Sequence, residues 1–173
     1  MAISFYQLTV PTYLQVLTAV EGFMAKGLAH FEAQGVDPES IVEARLFDDM
    51  LPFRFQIQSV AHHSLGAIEG LQAGEFKPGA RDPSPTYGDL QRRVTDTRAA
   101  LEALSHDSVD ALEGRHIDFV LGEQRIPFTA VDFAQSFSLP NFFFHATTAY
   151  DILRHHGVPL GKRDFLGRMR VKR

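Results

Sequence analysis

Histidines are the residues whose placement could do chemistry in this chain. His145 follows three phenylalanines in LPNFFFHATTAYDILRHHG, His155 and His156 close the same stretch, and His62 and His63 stand together in RFQIQSVAHHSLG. Neutral imidazole ligates metals and exchanges a proton near neutral pH. Asp48 and Asp49 could form a paired acid site, but just ahead of Met50-Leu51-Pro52 they suit the positive end of a helix start. Arg154 could hold an anion, and Asp151, three residues back, offers it a surface partner. There is no cysteine, which excludes disulfides, thiolate ligands and a cysteine nucleophile. No GxSxG elbow, P-loop, dinucleotide-type glycine pattern or HExxH occurs.

Helices must position these groups. Leu14, Leu17, Val20, Met24, Leu28 and Phe31 recur every three or four residues and predict a helix from about Pro11 to Gln34, stopped by Gly35. Asp37-Pro38-Glu39 predicts a short capped helix reaching about Phe47. Phe53, Ile57, Val60, Ala67, Ile68 and Leu71 share the face of a second long helix, from about Pro52 to Leu71. Ala73 to Asp89, with its glycines and prolines, reads as a long connection. Thr86 and Asp89 then cap a helix carrying Leu90, Val94, Thr97, Leu101 and Leu104. His116 to Phe128 alternates about a Gly122-Glu123 turn and predicts a β-hairpin, with Pro127 confining its second strand to an edge. Thr129 and Asp132 start a last helix reaching His156, broken or kinked at Pro140 and stopped by Gly157.

The 173 residues suit one domain, 1–173, with about 162–173 as a basic C-terminal tail. Hydrophobic residues make up 45% and charged residues 22%, an ordinary globular balance. From Lys162 to Arg173 six Lys/Arg face one Asp, in a chain of net charge −4. A solvated, partly disordered terminus, which could fold back on the acidic body, explains this more simply than a nucleic-acid partner. No run is long enough to cross a bilayer and no secretory leader is apparent, so a cytoplasmic setting without a membrane partner is expected.

The order of elements, together with FYQLTVPTYL, RLFDDMLPFRFQIQ, NFFFH, TTAY, ILRHHG and KRDFLG, resembles an uncharacterised family related to the DinB-like (YfiT-like) four-helix bundles. That resemblance implies an all-α fold: a DinB-like four-helix bundle, here with a short extra helix and a small β-hairpin before the last helix. It also implies frequent homodimerisation and a divalent-metal site of one histidine from the second helix and two, spaced i and i+4, from the last. Carried over by position, His145 matches the first of that pair, the second falls on Ala149, and His62 or His63 could supply the second-helix ligand.

At about 100° per residue His63 lies beside the apolar face of its helix and His62 roughly opposite it. His145 shares a line with Phe142, Ala149, Ile152 and His156. Two readings follow. In one, His145 is a core histidine beside a small-ligand cleft, with Asn141, Phe142 and Tyr150 as further candidates, in a metal-free protein. In the other, His63 and His145 hold a divalent ion such as zinc or nickel, completed by a carboxylate or water, in a hydrolase or transferase. The alanine at 149 favours the first. For His155 and His156, a helix-capping role is expected.

Overall fold

Ser4 starts the longest helix. Its hydroxyl accepts from the Gln7 N–H at 3.3 Å, and the Gln7 side chain returns to the Ser4 N–H. In this computed structural model, which describes residues 3–80, 82 and 84–172, helix α1 spans Phe5–Gln34 and ends at Gly35, whose φ of 65° suits a glycine. The start lies six residues ahead of the expected one. Pro11 sits inside the helix, where it forfeits one ladder bond, while the buried Tyr13, Leu17, Val20, Phe23, Met24 and Phe31 anchor the whole length. Helix α2 is shorter than expected, Glu39–Val42.

The second long helix is two helices, α3 at Phe53–His62 and α4 at Leu65–Ala73. Ser64 interrupts it. Its hydroxyl donates back to the Val60 and Ala61 carbonyls at 2.8 and 3.1 Å, competing with the helical ladder. The Ala73–Asp89 connection contains a short strand, β1 at Glu75–Phe76; its Arg81 and Pro83 lie outside the described residues. The Thr86–Asp89 capping box forms as expected and opens α5, Tyr87–Glu102. Helix α6, His106–Asp110, follows under a Ser105 cap.

The hairpin pairs β2, His116–Leu121, with β3, Gln124–Thr129, in antiparallel register. β1 adds in parallel on the far side of β2, which leaves Pro127 on the outer strand. The chain then enters α7, Ala130–Asp132, a π-helical segment at Phe133–Ser138, and α8, Leu139–His155. The irregularity therefore precedes Pro140. A proline lacks the N–H for the ladder and crowds the carbonyl four residues back, and the wider π turn accommodates both effects. Gly157, at φ 86°, ends α8.

Packing joins α1 to α5, α6 and α8, and α3 to α5 and α8, around one apolar core. The first part of the basic terminus lies on the body: α9, Lys162–Leu166, packs on α1 through Lys26–Asp164 and a Gln15 side-chain bond to the Leu166 carbonyl at 2.9 Å, while residues 167–172 are exposed. Arg173 lies outside the described residues. Among the described residues no helix is long and apolar enough to cross a membrane.

Candidate functional site

Gln56 fixes His145. It stands one turn from Phe53 and Val60 on the buried face of α3 and is only 2% exposed. Its Nε2 donates to the Leu51 carbonyl at 2.8 Å, which orients the amide. Its Oε1 then lies 2.7 Å from His145 Nδ1 and can only accept, so the imidazole proton is on Nδ1. Nε2 is left as a bare acceptor, with no hydrogen-bond partner among the described residues. Burial holds the His145 pKa down to about 4, so the ring is neutral at physiological pH.

His63 occupies the break between α3 and α4. Its carbonyl, freed from the ladder, accepts from the Ser138 hydroxyl at 2.6 Å, and Tyr13 O–H lies 2.7 Å from the same hydroxyl. This chain ties the break to the π segment. The His63 ring lies 5.7 Å from the His145 ring, centre to centre, at 15° between planes. Its Nδ1 is sealed from solvent without a partner among the described residues. Burial, then the charges of His145 and His62, hold its pKa down to about 3.

The two rings border a cleft of about 550 Å³. Phe55, Phe76, Phe119 and Phe137 form its aromatic walls, and Asn141, Glu69 and Arg93 also line it. Phe76, from β1, stacks on His62 at 4.3 Å between ring centres, and Phe119, from β2, meets Phe137 at 4.7 Å. The sheet thus supplies two of the cleft's aromatic rings. A mainly apolar cleft with a few convergent polar atoms is the usual form of a small-molecule site.

The expected residues divide. His63, His145 and Asn141 meet at the cleft. Phe142 does not line it: the ring is fully buried against Tyr13, edge-on at 5.1 Å. Tyr150 faces elsewhere too, packed between Phe23 and Phe165 at 5.9 and 5.8 Å. His62, expected to face solvent, is half-buried, its Nε2 2.7 Å from the Lys77 carbonyl. Arg154 caps α8 by donating to the Val158 carbonyl at 3.0 Å, and among the described residues it makes no ion pair with Asp151 and no such capping bond comes from His155 or His156. Asp48 and Asp49 are exposed and away from the cleft. Gln56 carried a signal in the sequence, a polar side chain at helical spacing within an apolar stripe. Phe76 carried none, standing alone among turn residues.

The donors do not fit the three-histidine metal site. Two imidazoles 5.7 Å apart could share an ion, since each metal–nitrogen bond spans about 2 Å. The set stops there. Ala149 is fully buried and outside the cleft, and among the described residues no group of three or more His, Cys, Asp or Glu side chains is arranged to hold a metal ion.

The family model for a domain of unknown function (DUF1993) matches residues 5–166. The crystal structure of a DinB family member protein from Shewanella denitrificans superposes with a TM-score of 0.81 at 28% sequence identity, over 97% of this chain and 94% of that one. No curated protein matches the chain.

Proposed function

The chain belongs to the DUF1993 family, and on that premise we propose that it is a DinB-like small-ligand-binding protein, built as one four-helix-bundle domain. The four long helical stretches are α1, α3–α4, α5 and the π segment with α8. The observation that carries the ligand-binding reading is the aromatic cleft of about 550 Å³, closed at its base by two neutral imidazoles. Its occupant is a small, mainly apolar molecule held by ring contacts and oriented by the histidines. A homodimer working in the cytoplasm is the setting we assign it.

Titration with naphthalene, followed by NMR of the labelled protein, tests this. Shifts centred on His63, Phe137 and His145 are expected. Absence of shifts, or shifts confined to another face, refutes it. A second reading, a divalent-metal-dependent hydrolase or transferase using His63 and His145, draws only on the separation of the two rings. Elemental analysis of protein purified without an affinity tag decides it, because stoichiometric zinc or nickel lost in His145→Ala would establish a metal centre.

A further inference from the structure

We infer that His63 and His145 together bridge a single hydroxyl group, so that the cleft selects an aromatic alcohol or phenol. This rests on the small-ligand reading above. Gln56 commits His145 to present a bare Nε2, an acceptor. The opposite holds for His63. Its Nδ1 is sealed without a partner, and a buried N–H without an acceptor is a costlier and rarer state than a buried lone pair. The proton therefore resides on Nε2, a donor. One donor and one acceptor thus border the same cleft from rings 5.7 Å apart.

A hydroxyl oxygen lodged between the edges of the two rings can meet both groups at ordinary hydrogen-bond length, about 2.8 Å. A hydroxyl is the group that donates and accepts through one atom. An ether has no proton for His145, a carboxylate sets a second acceptor against its lone pair, and an ammonium has nothing to accept from His63. Phe55, Phe76, Phe119 and Phe137 supply flat apolar surface for the ring that carries the hydroxyl.

Calorimetry on the full chain with 2-naphthol, 2-methoxynaphthalene and naphthalene tests the inference. The naphthol should bind about tenfold more tightly than either of the others, the worth of two modest hydrogen bonds, and His145→Phe should erase that preference. Nitrogen-15 NMR of the wild-type imidazoles gives a reading independent of any variant, with His145 protonated at Nδ1 and His63 at Nε2. Equal affinities for the three probes, or the reverse tautomers, would overturn the hydroxyl bridge while leaving a ligand cleft. Failure of all three to bind would overturn both.

Discussion

Acidification probes the histidine pair most directly. His63 and His145, which ordinarily titrate near 6.5, are held to about 3 and about 4, in each case chiefly by burial. As pH falls through about 6.5 the unfolded chain takes up both protons, whereas the folded chain takes up neither until well below pH 5. The unfolded state therefore binds more protons across that window. The stability that neutral rings confer is complete above 6.5 and drains away as pH falls toward the folded values. Between pH 7 and pH 5 each ring costs roughly 2 kcal/mol at 1.36 kcal/mol per pH unit, whatever the folded value, so long as it lies below 5. Partial exposure of His145 to the cleft trims the pair to about 3 kcal/mol. Urea unfolding at the two pH values should show the wild-type midpoint falling by about 1.5 M more than that of a His63→Gln/His145→Gln variant, at a slope of about 2 kcal/mol per M. His62 and His156, also lowered first by burial, are common to both proteins and cancel. Equal losses in the two proteins would refute the neutral buried pair.

Three other substitutions follow from the geometry. Gln56→Leu strands the His145 Nδ1–H and should cost about 1–3 kcal/mol in urea unfolding; an unchanged midpoint would mean the amide does not hold the ring. Ser138→Ala removes the hydroxyl between Tyr13 and the His63 carbonyl and should lower stability by a similar amount, about 1–3 kcal/mol, read by calorimetry as a lower Tm. Gly27→Ala would set a methyl 2.8 Å from the Tyr87 hydroxyl, which donates to the Met24 carbonyl at 2.9 Å. A loss of about 1–3 kcal/mol is expected there, and wild-type stability would show that α5 can yield.

The helices were legible in the sequence wherever local chemistry and tertiary packing agree. The Thr86–Asp89 box, the Gly35 and Gly157 stops and the Gly122-Glu123 hairpin turn are short-range signals, and each forms. Less legible were features made by distant partners. Ser64 breaks a continuous apolar pattern, and the His63 carbonyl it frees is satisfied 75 residues away by Ser138. β1 is two residues long and exists because β2 offers it an edge. The cleft was half legible. Helical spacing placed His63 and His145 on facing helices, but the same spacing could not tell Phe142, which packs into the core, from Phe137, which a π turn leaves facing the cavity.

The alanine at 149 follows from the same register. Phe137, Asn141 and His145 recur every four residues and border the cleft, and position 149 is the next step on that line. The contacts of Gln56 with His145 and of His63 with Ser138 show α3 running antiparallel to α8, seven residues separating the contact points on each chain. Extended by one turn, that register sets residue 149 opposite Pro52 and Phe53. Phe53 is fully buried and stacks on the equally buried Tyr87 at 5.8 Å and 6°. The cleft therefore closes between Gln56 and Phe53, one turn short of the position where a third imidazole would stand. An interior packed to the density of a molecular crystal has no space for that ring without displacing its neighbours. The small side chain at 149 and the aromatic pair opposite it are one packing solution, and it leaves the His63–His145 pair without a third imidazole.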